Sequence, residues 1–301
     1  MFERIACVVN PMAGSGRSGE LVERIRKIFL SRGIRLSIEE SRSGPHAVQT
    51  AKHLASEHEV VVAVGGDGTV NDVANGIIGS KAALAVIATG SGNDFASLLK
   101  MPREKELVCD MIVQGRVKRF DAGRVVAREK QASRYFVNTF GIGFDAEVAY
   151  EAHRIPFLKG LPLYLSGLIK TLLKFQTVNF ELESADGRRL SKECFMVCVG
   201  NGDREGGGFR ITPDANPCDG LLDVCVIAKV PLRRVFRIVG SVLKGKHQGL
   251  TDIDYFKAKS ITIRSETPVR VHADGEVYPD CLREISVEVI PGCLPVVTAA
   301  V

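Results

Sequence analysis

The chain has 301 residues, 45% of them hydrophobic, and 40 Lys plus Arg against 35 Asp plus Glu give a net charge of +5. That length suits two domains, since about 100 to 200 residues per domain is typical. The mild charge and the absence of Trp exclude a nucleic-acid partner read by a strongly basic, base-stacking face.

Residues 4–9, 34–39, 58–64 and 82–88 read as strands, and 17–31, 45–56, 69–78, 93–99 and 104–114 as helices. Such alternation predicts a parallel sheet covered on both faces. The first helix carries Leu21, Ile25, Ile28 and Phe29 on one stripe, with Glu23, Arg24, Arg26 and Lys27 outside it. After about Phe120 the pattern becomes strand-dense, at 118–127, 133–140, 177–184, 190–199, 221–228, 258–264, 268–273 and 283–290. Two helices, 160–175 and 232–244, interrupt it. The expected fold is an α/β N-terminal domain with a parallel sheet and helices on both faces, followed by a mainly antiparallel β-sandwich. The boundaries are set at 1–122 for nucleotide binding, with the tail 291–301 packing back on it, and 123–290 for the β-rich substrate domain.

Glu3 and Arg4 precede a short strand, so neither a signal peptide nor a transmembrane span is expected, and a cytoplasmic location follows. The eight cysteines are scattered without a CxxC pair and read as reduced, mostly buried thiols. Cys194 and Cys198 lie in a strand pattern with no His pair to complete a zinc set.

Three strand exits carry the chemistry. Gly65-Gly66-Asp67-Gly68-Thr69 follows the apolar run from Val60 to Val64, where glycines let backbone N–H groups approach phosphate oxygens and the next helix turns its positive end toward the same anion. Asp67 adds a carboxylate that can reach a magnesium ion between phosphates. Gly90-Ser91-Gly92-Asn93-Asp94 repeats the arrangement after 82–88, and Asn10-Pro11-Met12-Ala13-Gly14-Ser15-Gly16 after 5–9. In an open parallel sheet such corners converge on one ligand, here a nucleotide. Gly14 to Gly19 also spells GxGxxG, with Glu39 or Glu40 roughly 20 residues on. Four residues intervene before its first glycine, which weakens that match but keeps an NAD-dependent oxidoreductase as an alternative. Glu20 and Leu21 stand where a Walker loop needs Lys and Ser or Thr, which excludes a P-loop mechanism.

Together these loops resemble the diacylglycerol kinase catalytic-domain family, in particular its soluble bacterial lipid kinases. The resemblance continues through Asn138-Thr139-Phe140-Gly141-Ile142-Gly143-Phe144-Asp145, Gly206-Gly207-Gly208 with Pro213 and Ala215, Asp219-Gly220-Leu221-Leu222-Asp223, and Asp274-Gly275-Glu276. NAD kinases and phosphofructokinases share the Gly-Gly-Asp-Gly turn, but the Ser91 to Phe95 corner and the late Asp-Gly-Glu favour lipid kinases. Two departures bear on substrate choice: Ala88-Thr89-Gly90-Ser91 replaces the family's Pro-Leu-Gly-Thr, and Ser97 stands where an Arg is common.

The resemblance implies an ATP-dependent kinase that phosphorylates the hydroxyl of diacylglycerol or a related neutral lipid. ATP would be held by Asn10, Pro11, Gly14, Gly16, Ser41, Gly65, Gly66, Asp67, Gly68, Thr69, Asn71, Gly90, Ser91, Gly92, Asn93 and Asp94, with magnesium on Asp67 and Asp94. It also implies a structural magnesium on Asp219 and the main-chain oxygens of Asn216 and Leu221. Asp274 and Glu276 would be the catalytic carboxylates, either one the base, with Asp145 holding their network. Read as a strand, residues two apart share a face. His272 reads as an ordinary strand residue. An NAD kinase-like enzyme and a non-catalytic lipid-binding module are the remaining alternatives, and a homodimer is expected.

Residues 152–180 and 225–251 contain no acid. Their basic, amphipathic helices suit peripheral contact with an anionic membrane.

Overall fold

The computed structural model of the protein describes residues 2–12, 18–102, 104–127, 132–155, 161–172 and 174–298. The chain divides into two compact units, one comprising Met1–Phe120 with Gly292–Val301, the other Asp121–Pro291.

In chain order the first unit holds β1 (Ile5–Val9), α1 (Ser18–Leu30), β2 (Ser37–Glu40), α2 (Gly44–Glu57), β3 (Val60–Gly65), α3 (Asp67–Ile77), β4 (Ala83–Ala88), α4 (Asp94–Leu98) and α5 (Lys105–Gln114). Its strands run parallel in the order β4-β3-β1-β2. Every residue of β1 and β3 is buried, which their apolar side chains require once helices cover both faces. Ile5, Cys7 and Val9 pack with Ile25 and Phe29 of α1 and with Val108 and Ile112 of α5. Ala6 and Val8 alternate to the opposite face. Burial pushes the Cys7 thiol up to about 12, as suits an inert core cysteine.

The second unit contains most of β5 (Val117–Ala127), then β6 (Ala132–Phe136), β7 (Thr139–Gly143), α6 (Phe144–His153), α7 (Leu161–Leu172), β8 (Val178–Ser184), β9 (Arg189–Gly200), β10 (Leu222–Ala228), α8 (Leu232–Leu243), β11 (Ile253–Ala258), β12 (Ser260–Val269), β13 (Val271–Ala273), β14 (Glu276–Val277) and the first part of β15 (Leu282–Val297). The last residues of β15 belong to the first unit, where Val296 lies parallel to Leu84 of β4. In the second unit the path β14-β13-β7-β9-β8-β12-β15 has antiparallel pairings wherever register is defined, and β10 bridges β9 and β11.

Strand alternation gives β9 and β10 two faces. Val197, Val199, Val224 and Val226 join the strand core, while Met196, Cys198, Cys225 and Ile227 face α6, α7 and α8. Three elements lie outside the spans expected from sequence, α6, β11 and the two-residue β14. Phe144, Ala146 and Val148 are buried in strand-like alternation before the helical spacing of Ala149 and Ala152 takes over, so the period is mixed. In β11 only the two end residues are fully buried, so no alternation marks it.

Candidate active site

Because β1, β3 and β4 are parallel neighbours, their exit loops leave the same edge of the first unit's sheet. The loops meet backbone to backbone: a Cβ added to Gly90 would stand 2.5 Å from the Gly66 Cα. Asp67, in the first turn of α3, accepts the Phe95 N–H of α4 at 3.2 Å, tying the second corner to the third. Asn10 closes the first corner, donating from Nδ2 to Thr69 Oγ1 at 3.3 Å and accepting the Met12 N–H at 3.0 Å. Ser41 is buried beside it, with N–H and Oγ both donating to the Val9 carbonyl. Gly65, Gly68, Ser91, Gly92 and Asp94 lie in or immediately beside these turns, and Pro11 follows Asn10. Asn71 sits deeper in α3, fully buried and accepting from Asn75. Gly14 and Gly16 lie outside the described residues.

Two features of this edge carry chemistry. Asn93 holds a left-handed backbone at φ 55, and its Nδ2 donates to the Gly90 carbonyl at 2.9 Å. That bond turns Oδ1 the other way, buried and without a hydrogen-bond partner among the described residues. Asn93 Oδ1 and the carboxylates of Asp67 and Asp94 are hard oxygen donors of the kind magnesium takes. The second feature, Lys105, carries no sequence motif. Its Nζ donates to the Ala88 carbonyl at 2.6 Å, at the entrance to the Gly90 turn, and burial lowers its pKa from the ordinary lysine value.

In the second unit the Asp274–Glu276 segment departs from the strand reading. Asp274 and Gly275 have φ of 50 and 82, and Ala273 pairs with Glu276, so the two form a hairpin turn. Asp274 and Glu276 therefore do not share a strand face. Asp274 is buried, and its carboxylate accepts the N–H groups of Val137, Asn138 and Thr139 at 2.8, 2.8 and 2.9 Å. Glu276 is exposed.

His272 has more to do than its sequence reading as a strand residue implied. Its Nδ1 accepts the Gly275 N–H at 3.2 Å, which assigns the proton to Nε2, facing Asp145 Oδ2 at 2.9 Å. Burial pushes the Asp145 carboxyl up, but the electrostatic pull and hydrogen bond of His272, with a hydrogen bond shared with Glu205, outweigh it and hold the group below its ordinary value. Thr139 Oγ1 donates to Glu205 at 2.8 Å. Asp145, Glu205 and His272 lie close enough to surround an ion. Both ring nitrogens of His272 are already engaged, so the trio is a hydrogen-bonded relay that orients the turn.

This relay borders an apolar cavity of about 80 Å³, among whose described lining residues Asp145 and Glu205 are the only charged ones. Its walls come from α6, α7, α8, β9 and β10 together with the segment Glu205 to Ile211. Tyr164 of α7 lines it and also reaches the hairpin, its hydroxyl 3.3 Å from where a Cβ on Gly275 would stand.

Two family models cover nearly the whole chain, the diacylglycerol kinase catalytic domain at residues 4–125 and the YegS C-terminal NAD kinase beta sandwich-like domain at 138–298. The chain belongs to the diacylglycerol kinase catalytic-domain family. It is a lipid kinase. The diacylglycerol kinase of Bacillus subtilis is 28% identical over 91% of this chain and 90% of its own length. That of Mycobacterium tuberculosis is 26% identical over 97% and 94%. A crystal structure assigned as a diacylglycerol kinase from Bacillus anthracis aligns at TM-score 0.83 with 28% identity, covering 99% of this chain and 96% of that one.

The segment implied to hold a structural magnesium also receives a lysine. Asp219, expected to hold that ion with Asn216 and Leu221, meets an ammonium. Lys257 Nζ donates to Asp219 Oδ2 at 3.1 Å, Asp223 Oδ2 at 2.6 Å and the Asp214 carbonyl at 3.3 Å. Asp219 Oδ1 accepts the Leu221 N–H, and the Asn216 carbonyl accepts the Cys218 N–H. An ammonium has three donors and no more, so Lys257 is saturated and the carboxylates are answered. Asp223 is fully buried, and burial raises its carboxyl against the hydrogen bonds of Lys257 and Tyr255.

The acid-free segments are also less basic in three dimensions than in sequence. Lys170 pairs with Glu151, Lys229 with Glu193 and Arg234 with Asp252, each acid lying outside the run. Arg233 and Arg237 of α8 form no ion pair among the described residues, and Leu232 and Phe236 beside them are 54% and 60% exposed. No helix among the described residues is long and apolar enough to cross a membrane.

Proposed function

We propose that the protein transfers the γ-phosphoryl group of ATP to the hydroxyl of diacylglycerol or a related neutral lipid. The observation that carries this reading is the cavity. Its walls suit an acyl chain, and its two carboxylates are wired through His272 to the Asp274–Glu276 hairpin.

The first unit would bind the donor. Backbone N–H groups around Gly66 to Thr69 and Gly90 to Asn93 take the phosphates, Asn10 and Thr69 frame them, and Ser41 sits on the nucleoside side. Gly14 and Gly16 complete the first loop. Asp67, Asp94 and the Asn93 Oδ1 would hold magnesium, which neutralises charge on the transferring group. Lys105 braces the turn from behind.

The second unit would bind and activate the acceptor. Asp274 has its oxygens directed at three main-chain amides, so it fits a turn-holding role. Glu276 then serves as base: the lipid O–H bond breaks with its proton passing to the carboxylate, the lipid oxygen bonds to phosphorus, and ADP leaves. Asp145 and His272 keep the turn in register. Arg233 and Arg237, beside the exposed Leu232 and Phe236, suit contact with an anionic membrane from which the lipid is drawn.

Incubation with γ-labelled ATP, magnesium and a total lipid extract tests the reading. Label is expected in a phosphatidate-like product. Label confined to water-soluble acceptors, or tight NADH binding without ATP binding, overturns it.

A further inference from the structure

Three aromatic rings close one side of the acceptor cavity. Phe144 meets Phe175 and Phe195 edge-on, with ring centroids 5.3 and 5.7 Å away, and Phe175 stacks on Phe195 at 6.1 Å. Phe144 lines the cavity, whereas Phe175 lines a second, open groove of about 540 Å³. Phe195 and Val230 border both spaces. The trio is thus a partition between two voids rather than part of a filled core, and Phe195 remains partly exposed.

Strand register places the Phe195 end of this partition away from the polar end of the cavity, while Phe144 adjoins Asp145 in the chain. Gly141 of β7 pairs with Cys198 of β9, and Asp145 Oδ2 stands 2.0 Å from where a Cβ on Gly141 would lie, which puts that carboxylate beside Cys198. Phe195 lies three residues back along β9, about 10 Å at about 3.3 Å per strand residue. Ile227, opposite Met196, lines the cavity on the way. A chain laid along β9 from a hydroxyl held at the polar end therefore runs into the Phe195 ring.

We infer that Phe195, backed by Phe144 and Phe175, is the floor that sets the length of acyl chain the enzyme accepts, and that the groove beyond it is the space a longer chain would gain. The inference rests on the lipid reading of the cavity. A side chain that merely packed the fold would have filled space on both sides, whereas this one has room on each.

The test compares wild type with Phe195→Ala and the milder Phe195→Leu. Thermal melting of each identifies a folded variant. Two readouts are taken: kcat/KM for short-, medium- and long-chain diacylglycerols, and displacement of a fluorescent fatty acid by saturated acids of increasing length, which needs no turnover. Truncation is expected to raise the ratio of long-chain to short-chain kcat/KM by about tenfold, the scale at which apolar pockets discriminate chain length. The longest acid displaced should lengthen in step. An unchanged ratio and unchanged displacement in a folded variant overturn the inference, as does an equal change at every length, which would make the ring a gate or a packing residue. If wild type phosphorylates no lipid of any length, the kinase reading fails. Displacement then decides the partition alone, its length shift supporting the inference and a constant cut-off ending it.

Discussion

The two units hold their polar groups by different means. In the first, the glycine corners are fixed by main-chain proximity: Gly66 and Gly90 nearly touch, Asp67 takes the Phe95 amide, and Asn10 reaches Thr69. In the second, side chains from distant segments do the fixing, with Asp274 gathering three amides of residues 137–139 and His272 linking Asp145 to the turn. A site built from backbone tolerates little added volume. One built from side chains fails when a single carboxylate is lost.

That contrast can be broken most forcefully in the second unit. Replacing Glu276 by Gln should lower lipid phosphorylation by about 100-fold or more, the ordinary worth of a general base, with an unchanged melting temperature because the residue is exposed. Asp274→Ala should instead destabilise the protein. Three amides would lose a shared acceptor, and at about 1 to 3 kcal/mol for each buried group left unsatisfied the loss should reach about 3 kcal/mol, read by urea denaturation. If Asp274→Ala keeps its stability and loses only activity, the division of labour between the two residues is wrong.

In the first unit the matching change is Gly90→Ala. A Cβ there has nowhere to go against Gly66, so ATP affinity should fall about tenfold by calorimetry while fatty-acid displacement from the cavity stays constant.

How far these features were legible depends on range. The glycine corners are contiguous in sequence, and each follows an apolar strand, so the fold class and the meeting of these corners at one sheet edge could be read from local pattern. The acceptor site could be read only as motifs. That Asp274 and Gly275 adopt positive φ is written in the Asp-Gly pair, but the three amides it binds lie more than 130 residues away. Lys257 meeting Asp219 and Asp223, and Glu205 meeting Asp145, are likewise pairings that no spacing announces. The helix α6 escaped because its burial starts with period two. The basic runs overstate the free charge for the opposite reason, since the acids that pair with Lys170, Lys229 and Arg234 come from elsewhere in the chain.

Smaller effects sharpen the same comparison. The Asp145 carboxyl is held below its ordinary value in the folded state, so its stabilisation is complete above about pH 4 and is lost as pH falls through the depressed value. Stability profiles of wild type and Asp145→Asn should converge in acid and diverge toward neutrality. If they stay parallel, the relay through His272 does not stabilise the charged carboxylate. The smallest expected effect is none: without nucleotide, a chelator should leave the melting temperature unchanged because Lys257 already satisfies Asp219 and Asp223. A clear fall on chelation would return the magnesium ion to that segment.

The central claim is that the second unit's cavity holds the acyl chain of the lipid being phosphorylated. A diacylglycerol carrying a photoreactive group within one acyl chain, irradiated on the protein and mapped by mass spectrometry, tests it most directly. Adducts are expected on cavity walls such as Phe209, Ile238 and Val242, suppressed by unlabelled diacylglycerol. Adducts confined to Leu232 and Phe236 on the outside of α8, or to the first unit, would contradict it.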